Sequence, residues 1–440
     1  MTNSNVSLDD KYSIESGRIF VTGVQALARI PMVQRQRDVL EGLNTAGFIS
    51  GYRGSPVGGF DQQLWRAKKF LEQNHIRFQP GLNEDLAASA IWGSQQTNLH
   101  EGGKYDGVFA IWYGKGPGVD RCGDVFKHGN MSGPAKHGGV LLIAGDDHAA
   151  KSSTVPHQSE YAFMDASIPV LNPAGLQDIV DYGILGFAMS RFSGCWVAFK
   201  TTAENMDSSA SIDVSPDRVK ISLPKFDMPE GGLSIRWPDD WIEQEHRLHQ
   251  YKLNAVRAFA RQNKIDKTII NSQNPKLGVV TTGKSYLDVR QALEDLGINE
   301  AKADKIGLRL YKVGMPWPLE PQGIDEFSQG LKEILVIEEK RPIIESQLKE
   351  HLYNHAPKNR PNVVGKYDDK GQFLQPAAGE LSPSMIAKVI ASRILQFSDD
   401  AAIREKLKFM QDKENGLIKP ETDFARTPFF CSGCPHNTST

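Results

Sequence analysis

Two cysteines three residues apart, in Cys431-Ser432-Gly433-Cys434, form the strongest local motif of the chain. Their spacing suits half a zinc site, half an iron–sulfur site or a redox dithiol. A four-cysteine cluster needs two further ligands, and Cys122 and Cys195 lie far upstream. The competing reading is an easily oxidised pair on a frayed tail. Glu84 opens a helical stretch whose next turns carry Ala87, Ala88, Ala90 and Gly93. An acid there complements the helix dipole, worth under ~1 kcal/mol. The small residues beside it would also let a flat ring or another backbone come close. In Tyr52-Arg53-Gly54-Ser55-Pro56, Arg53 offers a two-pronged guanidinium for a carboxylate and Ser55 a hydroxyl, against the alternative of a plain Gly/Pro turn. His128, His137, His148 and His157 lack metal-ligand spacing and read as surface or capping residues, while Asp146-Asp147 could bind a metal but reads first as a capping pair. Gly114-Lys115-Gly116-Pro117-Gly118 superficially suggests a nucleotide loop. Its spacing is wrong, however, and Pro117 removes an amide that could bind phosphate.

The elements that must position these residues alternate strand with helix. Continuous apolar runs at Phe48–Gly51, Val108–Trp112, Val140–Ala144, Ile168–Leu171 and Trp196–Lys200 predict strands buried on both faces. Helical stretches, Glu84 to Gln96 and Leu176 to Arg191, lie between several of them. The pattern predicts a parallel sheet covered by helices, with ligands at the carboxyl ends of its strands. That singles out the loops after Gly51, Trp112 and Ala144. Beyond a Pro/Gly connector, a long helix is predicted from Asp240, with Glu243 completing a capping box. Trp241, Leu248, Ala255 and Phe259 are expected on its packed face. A second, smaller α/β unit follows, with strands at Leu277–Gly283, Ile306–Val313 and Ile334–Ile337. Residues 355–382 read as mostly loop, and Pro383 precedes a helix from Ser384 to Gln396.

With 440 residues the chain is too long for one ordinary domain. A net charge of −2 leaves no basic excess to hold a phosphate backbone, so nucleic acid is not expected as a partner. The apolar runs are far shorter than the roughly 20 residues of a membrane helix, and no apolar signal core opens the chain. The expectation is a cytoplasmic protein. Of 40 glycines, 22 fall within the first 150 residues, where backbone must turn tightly or approach something closely.

Taken together, these segments resemble the indolepyruvate:ferredoxin oxidoreductases, within the thiamine-diphosphate-dependent 2-oxoacid:ferredoxin oxidoreductases, and most closely the long fused bacterial form. The likeness is carried by Phe20 to Leu27, Ser50 to Pro56, Gly81-Leu82-Asn83-Glu84 and Gly114 to Arg121. Gly145-Asp146-Asp147-His148, Lys151-Ser152-Ser153, Val336 to Pro342, Gly379 to Pro383 and Cys431 to His436 extend it. It implies an α/β chain with a pyrimidine-binding domain at 17–205, a connector and long helix at 206–269, and a transketolase C-terminal-like domain at 270–355. A linker at 356–427 and the start of a diphosphate-binding domain at 428–440 would complete it.

The resemblance makes Glu84 the carboxylate that activates thiamine diphosphate by hydrogen bonding to its aminopyrimidine ring. It makes Arg53, Ser55 and Lys115 candidates for the 2-oxoacid substrate, and Cys431 and Cys434 candidate iron–sulfur ligands. It also implies oxidative decarboxylation to an acyl-CoA, with coenzyme A and ferredoxin as partners, and a homo-oligomer. Glu338-Glu339 reads as an ion-pairing helix entrance rather than a catalytic pair. The family's Gly-Asp-Gly and Asn pattern for Mg²⁺ is not found in these residues, so Mg²⁺ and the diphosphate are expected to be held by further domains or a partner subunit. On this reading the chain alone is inactive. Two alternatives stand beside it: a truncated chain that folds and dimerises without chemistry, and a thiamine-dependent decarboxylase, which the cysteine pair disfavours.

Overall fold

The computed structural model describes residues 6–153 and 155–416. Its first half carries strands β1 (Arg18–Thr22), β2 (Ala46–Gly51), β3 (Ile76–Phe78), β4 (Val108–Lys115), β5 (Val140–Asp146), β6 (Val170–Leu171), β7 (Val197–Thr202) and β8 (Ser209–Asp213). Six of these form one sheet in the order β3-β2-β4-β5-β7-β6, parallel throughout. The apolar runs fall on its central strands as expected, because helices cover both faces. Phe109, Ile111 and Tyr113 of β4 join the core beneath helices Gly23–Leu40 and Leu176–Ser193. Ala110 and Trp112 face the opposite core, under helix Glu84–Gln95. Strands β1 and β8 pair apart from this sheet, antiparallel.

The helices end where side-chain chemistry stops them. Asn83 caps helix Glu84–Gln95 by accepting the Leu86 N–H at 2.9 Å. Helix Leu176–Ser193 stops at Gly194, whose φ of +72° lies in the left-handed region.

The second half carries β9 (Lys267–Ile270), β10 (Leu277–Thr282), β11 (Leu308–Val313), β12 (Glu333–Ile337) and β13 (Asn362–Val364), in the order β13-β12-β10-β11-β9. All pairs are parallel except β9 with β11.

Three local expectations change. The helix from Asp240 is interrupted by a π-helical turn at Leu248–Lys252, which shifts the register of what precedes it. Leu248, Ala255 and Phe259 are buried, but Trp241 stands 72% exposed. The capping box is also incomplete. Asp240 accepts the N–H groups of Ile242 and Glu243, while its own N–H donates to the Asp239 carboxylate at 3.1 Å. Finally, the loop-rich stretch contains β13, and helices Pro383–Phe397 and Ala401–Asn415 supply Ile386, Ile390, Ile394 and Ile403 to the core of the second sheet. The described part of 356–427 is therefore packed structure rather than a bare linker.

The two sheets are joined by direct contacts. The Val170 N–H donates to the Trp317 carbonyl at 2.7 Å, and the Asn172 N–H to the Gly314 carbonyl at 2.9 Å. Trp317 packs against the core of the first sheet. Among the described residues, no helix is long and apolar enough to cross a membrane.

Candidate functional site

The carboxyl ends of β2, β3, β4 and β5 bring the singled-out loops to one edge of the first sheet. The Tyr52 N–H donates to the Tyr113 carbonyl, and the Gly81 N–H to the Gly51 carbonyl, so the loops after β2 and β3 are tied to one another and to β4. Glu84 begins its helix at this edge. Its carbonyl accepts the Trp112 indole N–H at 3.1 Å, its side chain is 14% exposed, and Arg121 lies 3.6 Å from its carboxylate.

The glycines of Gly114 to Gly118 have a purpose other than cradling phosphate. A Cβ on Gly118 would stand 2.5 Å from Glu84 Cγ, and one on Gly116 would stand 2.3 Å from the His157 ring. One on Gly114 would stand 2.6 Å from Trp112. The loop lacks side chains there because its neighbours occupy the space. Gly54 does the same for Lys115: its Cβ would lie 2.8 Å from Lys115 Cβ.

Lys115 donates to the Ser152 carbonyl at 2.7 Å and stands 4.0 Å from Asp147. Burial pushes its amine below the usual range, with Asp147 opposing that shift. Arg53 and Ser55 are exposed on the adjoining turn. The fold thus brings together the turns that carry Glu84, Arg53, Ser55 and Lys115, linked through Gly118 and Gly54. Cys431 and Cys434 lie outside the described residues.

A carboxylate that keeps partial access, on a helix turn exposing Leu82 and Leu86, fits a flat heteroaromatic ring with a hydrogen-bonding nitrogen. The aminopyrimidine of thiamine diphosphate is such a ring. The acidic pair at the end of β5 does not fit a metal. Asp146 accepts the Ser159 hydroxyl and N–H and pairs with Lys200 at 3.5 Å. Asp147 accepts the N–H groups of Lys151 and Ser152. Burial works against the Asp147 charge, but these donors and the Ser152 hydroxyl hold its carboxyl below the usual range. Both side chains are spent on the chain itself.

The Glu338 to Pro342 segment makes contacts between the two units. Glu338 accepts the N–H groups of Ile343, Ile344 and Glu345 at a helix entrance, and burial pushes its carboxyl up to about 7. Glu339 pairs with Lys284 at 3.1 Å. Lys340 donates to the His148 carbonyl at 2.6 Å, and the Arg341 guanidinium lies 3.9 Å from the Tyr161 ring centre. His148, read from sequence as a surface or capping residue, is instead buried. Burial, reinforced by Lys200, Lys340 and Lys284, holds its imidazole well below the usual range, hence neutral. The motifs Gly145 to His148 and Val336 to Pro342 contain members of this node, but nothing local shows that they meet, since they come from both units.

A parallel α/β sheet with its candidate site at the strands' carboxyl edge defines the class. The same fold is found in a 2-oxoglutarate:ferredoxin oxidoreductase from Magnetococcus marinus, with TM-score 0.58 and 15% identity, covering 86% of this chain and 65% of that one. Within that class, residues 266–419 match the family model of the indolepyruvate ferredoxin oxidoreductase middle domain. The indolepyruvate oxidoreductase subunit IorA of Pyrococcus horikoshii is 24% identical over 96% of this chain. The same subunit of Methanothermobacter thermautotrophicus is 25% identical over 96%. These findings support the indolepyruvate:ferredoxin oxidoreductase family, as the sequence motifs imply. The chain spans 58% and 59% of the length of these two relatives.

Proposed function

We propose that this chain forms part of a cytoplasmic oxidoreductase that oxidatively decarboxylates indolepyruvate or another aryl 2-oxoacid to its acyl-CoA, with ferredoxin as electron acceptor. The observation that carries the reading is the Glu84 carboxylate, held against Gly118 at the carboxyl edge of a parallel sheet. On this proposal, residues 17–205 are the pyrimidine-binding domain and 270–355 the transketolase C-terminal-like one. The remaining domains, fused or in a partner subunit, supply the diphosphate site with its Mg²⁺ and the rest of the iron–sulfur ligation begun by Cys431 and Cys434. The assembly is a homo-oligomer at least. The chain alone is inactive.

Bound thiamine diphosphate would supply a carbon nucleophile for the 2-oxo carbon and a sink for the electron pair left behind when carbon dioxide departs. Glu84 holds the aminopyrimidine ring nitrogen by a hydrogen bond and so sets where the ring's proton resides. Arg121, 3.6 Å away, pairs with the Glu84 carboxylate. Arg53, on an exposed turn, binds the substrate carboxylate in a two-pronged pair. Lys115 adds positive charge from the next turn, and Ser55 donates its hydroxyl to the substrate.

The test uses the complete enzyme that contains these residues. Reduction of ferredoxin should require 2-oxoacid, coenzyme A and thiamine diphosphate together. Glu84→Gln should lower its turnover by about 100-fold or more, and undiminished turnover removes Glu84 from the mechanism.

A further inference from the structure

Helices Pro321–Ser328 and Ile344–Leu352 pack side by side on one face of the second sheet, through Ile324 and Phe327 from the first and Ile344, Leu348 and Leu352 from the second. This packing fixes the residues on their outer sides. Asp325 lies on the first helix. His351 lies in the last turn of the second, and His355 one turn further along the chain. Each offers one ligand atom, and all three atoms lie within 4.8 Å of one another.

His351 Nε2 is 2.7 Å and His355 Nε2 3.6 Å from the same oxygen, Asp325 Oδ1. The two rings stand edge to face, with centres 5.3 Å apart. Ligands about 2.0–2.1 Å from a tetrahedral ion lie roughly 3.3 Å from each other, so the two separations bracket what an ion requires. The side chains are 41%, 29% and 33% exposed for Asp325, His351 and His355. An ion can therefore enter from solvent. A hollow of about 650 Å³, lined in part by Asp325, His355, Lys358 and Asn359, leaves room for a fourth ligand.

We infer that Asp325, His351 and His355 form a binding site for a divalent transition-metal ion, with Zn²⁺ as its natural occupant. Two imidazoles and one carboxylate select such an ion over Ca²⁺ or Mg²⁺, which prefer all-oxygen sites. The inference stands apart from the proposed chemistry, because none of these residues belongs to the Glu84 edge.

The probe is Co²⁺, titrated into the full 440-residue chain carrying Cys431→Ser and Cys434→Ser so that thiolates cannot contribute. One equivalent should saturate a visible absorption band, and Zn²⁺ should displace it. His355→Gln and Asp325→Asn, each made in that background and each with an unchanged circular dichroism spectrum, should weaken binding by at least about tenfold. Absence of a saturable band, or equal affinity in both folded variants, overturns the site.

Discussion

Gly118 decides where the Glu84 side chain can lie. A methyl group at that position would enter the space held by Glu84 Cγ, so Gly118→Ala must move the carboxylate or the helix. Displacement of a positioned group by about 1 Å costs roughly 100-fold in rate. The expected outcome is a drop of that order in thiamine-diphosphate-dependent turnover of the complete enzyme, measured by ferredoxin reduction.

A second residue-scale expectation concerns stability. Burial pushes the Asp266 carboxyl up to about 7, against the N–H groups of Gly314 and Met315 that it accepts. The folded state keeps a proton that the unfolded chain releases near pH 4. Stability therefore falls as pH rises from about 4 to 7, and the loss is complete above the folded value. Glu338, also pushed up to about 7, acts in the same direction. Asp266→Asn should flatten, without abolishing, the decline in urea-unfolding free energy across that window.

At the scale of elements, helix Pro383–Phe397 separates linker from core. Pro383 at its first position and the Ser382 hydroxyl, which accepts the Met385 N–H, start it. Ile390 is fully buried beneath it. Ile390→Ala should cost about 2–5 kcal/mol in urea denaturation, whereas a loosely attached linker helix would show almost no loss. The helix was legible in the sequence from its proline start and apolar spacing. Its burial was not, because spacing shows that a face is apolar without showing what covers it. The Asp240 helix teaches the converse. Trp241 and Leu248 are seven residues apart, which is a helical repeat, yet Leu248 is buried while Trp241, the first residue of its helix, is exposed.

For the whole molecule, the contact between the two sheets governs how the chain unfolds. Trp317 comes from the second unit and packs into the core of the first, while Lys312 pairs with Asp178 at 2.5 Å. Calorimetry should show one cooperative transition over the described units, and Trp317→Ala should split it into two. A single transition that keeps its width in the variant would show that the other contacts suffice.

The sequence by itself marked the central strands of the two sheets, since short continuous runs such as Val140–Ala144 suit strands buried on both faces. It also singled out the loops at one edge of the first sheet, and the motifs through which Glu84, Arg53, Ser55 and Lys115 resemble a family. Only the tertiary structure decided what the glycines beside Lys115 are for, how Glu338 to Pro342 join the two units, and that Asp325 meets His351 and His355. Periodicity records which face of one element is apolar. Contacts between residues far apart in the chain depend on the angle and distance at which elements pack, and no local pattern encodes those.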